Sequence, residues 1–323
     1  LSDHVLHHLT NWRGRALAGV FALTMTLVVL LATNGLAAPT ADTGATVTGE
    51  TRVDSQTLDI TIKSPSSEQS TRKVRLLLPS GWSKTASRTW PVLFVLHGGF
   101  DDYKSWTGKT DIESLAASRQ AIIAMPDTSW CSAYSDWWNY GNGGRPKWET
   151  FVLTEVRQIL ERGYRAGTSR AVAGNSMGGL GAMKFAANHP ELFKAAASFS
   201  GDVDPLHQYS GGTGYTYPGL ACGADWKRVW GDPAIPAQRA IWERNDPWNQ
   251  AAGLRGLSLF LSSGGTGDSV EAQVDKETKG LASKLQLLGI PVTTHFYSGT
   301  HSWSYWQQEL HRAWPQLMSA IGA

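Results

Sequence analysis

Three kinds of side chain in this sequence combine into one piece of chemistry. Ser176 stands in Gly174-Asn-Ser-Met-Gly178, His301 in Gly299-Thr-His-Ser-Trp303, and a carboxylate is offered by Asp268, Glu271 or Asp275. A serine hydroxyl is a poor nucleophile until a neighbouring base takes its proton, and an imidazole does this well only when a third group holds its orientation. G-x-S-x-G supplies the steric half of the requirement. Small residues two before and two after the serine let a strand and a helix approach closely, which lifts the hydroxyl on a sharp turn. The N–H of Met177, at the start of the following helix, then faces an oxyanion developing beside Ser176. Eight histidines other than His301 compete for the role of base, out of nine in the chain. His189 and His295 fall at a helix end and within a strand. His97 follows an apolar strand and suits the oxyanion loop better than the base.

These groups need elements to bring them together. Pro91–Leu96 and Ala121–Met125 are apolar throughout, the pattern of central strands covered on both faces. Leu58–Ile62 and Lys73–Leu78 read as a first hairpin, and Ala171–Ala173, Leu257–Leu261 and Val292–Tyr297 as further strands. Helical patterns run over Trp148–Glu161, Met177–Asn188, Val270–Leu288 and from Trp306 to about Ile321. Strands alternating with helices in this way predict an α/β-hydrolase fold, a mostly parallel sheet with helices on both faces. The order Ser, acid, His suits that fold, with the acid after the strand at 257–261. Spacing slightly favours Asp268 for the acid, and leaves Glu271 and Asp275 open. Residues 205–253, rich in Gly, Pro, Trp and Tyr, read as an insertion at the ligand-facing edge. Among the aromatics after the second central strand, Trp137 is expected to touch substrate.

With 323 residues and 41% hydrophobic content, one large catalytic domain over 51–323 is expected. A formal charge of +2, with no dense Lys/Arg tract, argues against nucleic acid as a partner. Arg13 and Arg15 precede an apolar run over 16–32 and a small-residue exit. Residues 1–38 therefore read as a signal peptide processed near Ala38, with a retained membrane anchor as the alternative. Residues 39–50 are small and polar, a flexible lead-in. Cys131 and Cys222 could pair in an exported chain, though the sequence does not fix their separation. No C-x-x-C, Walker or Rossmann spacing is present, so neither a metal nor an organic cofactor is expected.

Gly-Asn-Ser-Met-Gly, Tyr134-Ser-Asp-Trp137 with Lys147-Trp-Glu-Thr-Phe151, and Gly299-Thr-His-Ser-Trp-Ser-Tyr-Trp306 together resemble the mycolyltransferases of the antigen 85 type and their corynebacterial relatives. The resemblance spans about Val74 to Trp314. It implies transfer of long mycolyl-type acyl groups from a trehalose ester to an alcohol acceptor, through an acyl-serine, with lipid or glycolipid ester and sugar as partners at the cell envelope. Carried onto this sequence, it places the nucleophile on Ser176, the base on His301 and the acid on Glu271 ahead of Asp268. The oxyanion hole falls on the N–H groups of Met177 and Gly99. His97, Phe100, Ser302 and Trp303 fall where that family contacts substrate. One departure is visible: the family's aspartate and arginine in the first loop are His97 and Phe100 here, which cannot reproduce charged hydrogen bonds to trehalose.

Overall fold

The apolar runs of the sequence lie side by side in one sheet. A computed structural model describes residues 37–207 and 225–323. Among them nine strands are ordered β1-β2-β3-β5-β4-β6-β7-β8-β9. They are β1 Thr46–Arg52, β2 Thr57–Lys63, β3 Thr71–Leu77, β4 Trp90–Leu96, β5 Ile122–Pro126, β6 Ala166–Asn175, β7 Ala195–Phe199, β8 Ser258–Gly264 and β9 Thr293–Tyr297. β1 to β3 pair antiparallel and β3 joins β5 antiparallel. From β5 to β9 every pairing is parallel. This is an α/β-hydrolase-type fold.

Strand alternation divides the core. Val92, Phe94 and Leu96 of β4 face one apolar layer, while Leu93 and Val95 face the other, as the two-residue side-chain period requires. The first layer is covered by the helix Met177–Asn188 and by a helix over 148–163 whose middle turn, Phe151–Val156, is π-helical. The second is covered by Ser105–Lys109, Ile112–Ala117 and the last helix, Trp303–Ile321. That last helix starts at Trp303 rather than Trp306, and β6 extends well beyond Ala171–Ala173 on both sides.

The stretch 39–50 corrects the expectation of a flexible lead-in. Ala45 is fully buried and Ala41 nearly so, Asp42 pairs with Arg162 at 2.6 Å, and β1 crosses the expected domain start to add an edge strand to β2. Small and polar residues hid this, because an edge strand with two alanine contacts needs no apolar run. Residues 1–36, which hold nearly all of the expected signal segment, lie outside the described residues. Among the described residues no helix is long and apolar enough to cross a membrane. The expected insertion contains the short helices Lys227–Trp230 and Pro236–Asn245; residues 208–224 lie outside the described residues.

Candidate active site

The chain moves from β4 outward to β5, then crosses back to β6 on the other side of β4. The carboxyl ends of β4 and β6 therefore flank the point where the winding reverses, the place where open α/β sheets bind ligands. Ser176 follows β6 directly. Its φ of 52° and ψ of −122° form the strained turn that a non-glycine residue holds only when its surroundings impose it. Those surroundings are glycines: a Cβ on Gly174 would lie 2.3 Å from Gly178 O, and one on Gly178 would lie 2.3 Å from Leu96 O. The Ser176 N–H donates to Phe199 O at 2.9 Å, tying the turn to β7.

One hydrogen-bonded chain runs through the site. His301 Nε2 lies 2.8 Å from Ser176 Oγ, and His301 Nδ1 lies 2.7 Å from Glu271 Oε2. Glu271 is fully buried near the start of the helix Ser269–Leu287. Its other oxygen accepts Ser200 Oγ at 2.8 Å and the Gly264 N–H. A buried carboxylate held by three hydrogen bonds has little freedom to swing, so it fixes the imidazole. Trp306 adds an edge-on ring contact to His301, centroid to centroid 4.9 Å. Ser200 went unnoticed in the sequence, since a serine after an alanine-rich strand carries no motif.

The two other carboxylate candidates separate cleanly. Asp268 does not touch the imidazole; its oxygens accept the backbone N–H groups of Glu271 and His301. Asp275 accepts Ser263 Oγ at 2.8 Å and pairs with Lys279. Neither orients His301 through its ring.

The first loop differs from expectation. His97 is 1% exposed. Thr128 N–H donates to its Nε2 at 3.1 Å, so the proton sits on Nδ1 and is donated to Gly98 O at 2.8 Å. His97 thus braces the loop from inside, correcting its expected contact with substrate. An imidazole after a buried strand can face either way, and sequence does not say which. Gly98 brings the loop to the nucleophile: a Cβ there would lie 3.5 Å from Ser176 Cβ. Met177 follows Ser176 directly at the helix start. Phe100 is 74% exposed and stacked on Trp130 with centroids 5.3 Å apart. Trp137 corrects a second expectation. It is buried, its indole N–H donates to Ser132 O at 3.1 Å, and Arg228 covers its ring. Ser302 occupies the N-cap position of the last helix without a side-chain capping bond, and Trp303 packs edge-on against Trp106 and Trp306. Lys109 lies over Trp303 and pairs with Asp101 at 2.7 Å, linking the loop after β4 to the histidine loop. Cys131 is disulfide-bonded; Cys222 lies outside the described residues.

The chain is matched over residues 65–317 by the esterase family model. It is 32% identical over 260 residues, 72% of this chain and 76% of the relative, to the diacylglycerol acyltransferase/mycolyltransferase Ag85B of Mycobacterium intracellulare. The chain belongs to the antigen 85 and esterase family. A further member, an esterase of Mycobacterium tuberculosis, is 30% identical over 71% of this chain and 52% of its own length. Two solved structures share the fold: Mycobacterium tuberculosis MPT51, at TM-score 0.64 and 24% identity over 80% of this chain and 96% of that one, and a ferulic acid esterase, at TM-score 0.63 and 20% identity over 82% and 98%. Like its relatives in the family, the protein is an enzyme of the acyltransferase or carboxylesterase type.

One group of potential metal ligands is present among the described residues. Atoms of Asp204, His207 and Asp246 lie within 4.8 Å of one another. They are already engaged as a clasp at the base of the insertion: Asp204 bonds His207 Nδ1 at 2.5 Å, and the Asp246 oxygens accept Leu206 and Asn249 N–H groups. Burial first, then the neighbouring Asp204 charge, pushes the Asp246 carboxyl from the usual 3.8 up to about 7. The folded chain therefore holds a proton that the unfolded chain has released over that interval. By linkage, the stabilising contribution is complete below about pH 4 and is lost as pH rises through about 7. Melting curves of wild type and Asp246→Asn should show the variant gaining on wild type between about pH 4 and about pH 7. A difference that stays flat over this range would mean that Asp246 ionises as an ordinary aspartate.

Proposed function

We propose that the protein is a serine-dependent acyltransferase that moves a long-chain, mycolyl-like acyl group from a trehalose ester to an alcohol acceptor. The unbroken chain Glu271–His301–Ser176 at the sheet's switch point carries this reading. His301 removes the Ser176 proton as Oγ attacks the ester carbonyl. Met177 and Gly99 N–H groups receive the charge on the tetrahedral oxygen, and His301 protonates the departing alcohol. An acceptor hydroxyl, deprotonated by the same imidazole, then releases the acyl group. Exposed Phe100, together with Ser302 and Trp303 of the histidine loop, supplies the substrate contacts in this reading. The apolar segment over 16–32 supports export, and action at the cell envelope follows from the ester donor.

Hydrolysis is the second reading, and the first loop favours it. Phe100 offers a phenyl ring where a charged group would hold trehalose, so an acceptor sugar has less to distinguish it from water. An acyl-partition assay separates the two. Mature protein receives a long-chain trehalose ester, with glucose, trehalose and water as competing acceptors. Transfer to sugar that rises with sugar concentration is the expected result; free acid alone at every concentration would leave a carboxylesterase.

A further inference from the structure

The pairing of β8 with β9 continues beyond both strands. Gly265 N–H donates to Tyr297 O at 2.8 Å and Thr266 N–H to Gly299 O at 3.3 Å. The Thr266 and Ser298 hydroxyls meet at 3.0 Å. The loops come this close because glycines line the seam. A Cβ on Gly264 would lie 2.7 Å from Gly299 O, and one on Gly267, whose φ is +98°, would lie 2.2 Å from Thr300 Cγ2. At the end of the seam sits Asp268. Its Oδ1 accepts the Glu271 N–H at 2.7 Å and its Oδ2 accepts the His301 N–H at 2.9 Å.

We propose that Asp268 is a positioning residue, a single carboxylate that bridges the backbones carrying Glu271 and His301 and so fixes the spacing of acid and base. The proposal rests on the reading of Ser176 as an acyl-transfer nucleophile and adds to it the device that sets its geometry. Capping the helix Ser269–Leu287 requires one acceptor oxygen only. The second oxygen is surplus to that task, and it is spent on the base. Serine has one oxygen at this reach, and asparagine turns a donor toward one of the two N–H groups, so a carboxylate is the short side chain that serves both. Although burial pushes the Asp268 carboxyl upward, the N–H groups of Glu271 and His301 and the charge of His301 hold it below the usual aspartate value. The bridge is therefore an ionised, charge-assisted one at neutral pH.

Asp268→Ser separates the two jobs, because serine caps a helix about as well as aspartate while giving up the bridge. The experiment compares wild type, Asp268→Ser and Asp268→Asn by melting temperature, by amide hydrogen exchange over residues 298–303, and by turnover of a p-nitrophenyl ester. In Asp268→Ser the melting temperature should stay within about 2 °C of wild type. The His301 amide should exchange about tenfold faster, and kcat should fall about tenfold with KM within about twofold, since small misplacements of reacting groups are costly. Asp268→Asn should show the same loss of kcat. Wild-type kcat and unchanged His301 exchange in Asp268→Ser would overturn the proposal, as would a His301 amide that is unprotected in wild type. A wild-type chain that turns over no ester would defeat the acyl-transfer reading instead, and the exchange comparison would still decide the bridge.

Discussion

Replacing Ser176 with alanine is expected to abolish labelling by a fluorophosphonate and to lower ester turnover by about ten-thousand-fold or more. Labelling is read by intact mass, turnover by kcat/KM, and folding by the melting temperature, which should hardly move. The magnitude follows from how the hydroxyl is held. The turn at φ 52° leaves Ser176 Oγ one strong partner, His301 Nε2 at 2.8 Å, and removing Oγ removes the bond-forming atom itself. Glu271→Gln is the graded companion. It keeps the size of a buried side chain while taking away the charge that stabilises the imidazolium at 2.7 Å, and about a thousand-fold loss is expected. A full-strength adduct on Ser176→Ala, or wild-type turnover in Glu271→Gln, would remove the basis for a serine mechanism here.

The second large effect concerns stability. Lys184→Met should lower unfolding free energy by about 3–5 kcal/mol, because removing the buried member of the ion pair strands Glu149 and the other acceptors around it; for a domain of this size that is a fall of roughly 5–8 °C in melting temperature. Lys184 lies two turns past Ser176 on the same helix and is fully buried. Its ammonium is met by Tyr134 O at 2.6 Å, Glu149 Oε2 at 2.8 Å, Ser135 Oγ at 2.9 Å and Asn245 Oδ1 at 3.2 Å. Burial opposes ionisation of Glu149, yet Lys184 and the hydrogen bond from His189 bring its carboxyl down to about 2. Methionine fills the channel and satisfies none of these groups. Thermal melts at neutral pH test the expectation: a loss below about 1 kcal/mol would show that the acceptors find other donors or water.

The residues that were legible in the sequence share a reason. β4 and β5 are buried on both faces, so their apolar runs need no periodicity to be recognised. Ser176 is announced by glycines whose necessity is local, and His301 by its place just after the last strand. Choosing Glu271 over Asp268 was beyond spacing, because both stand at one helix start and both reach the same loop, one through a side chain and one through the backbone. Only the family resemblance made that choice. β1 and β7 were missed for opposite reasons. Thr46–Arg52 is an edge strand with polar residues, and Ala195–Phe199 is a central strand whose alanines carry more helical than strand preference. Lys184 was invisible because a lysine in a helix reads as solvated until the loop after β5 and the insertion are placed over it. Trp137 and His97 failed in the same way: each aromatic or imidazole side chain braces a loop from beneath, and sequence does not record which side of a loop is its underside.

The segment 205–253 and the catalytic side chains are anchored separately. Ser176, Glu271 and His301 all lie outside 205–253, in the segments that follow β6, β8 and β9. The insertion attaches elsewhere, through Asn245 to Lys184 and through Trp230, whose indole N–H donates to Ser135 Oγ at 3.0 Å. Changes in the described, exposed part of 205–253 therefore leave the hydrogen bonds of Ser176, Glu271 and His301 untouched. What such changes disturb is the socket: Trp230 and Asn245 both join the polar cluster around the buried ammonium of Lys184.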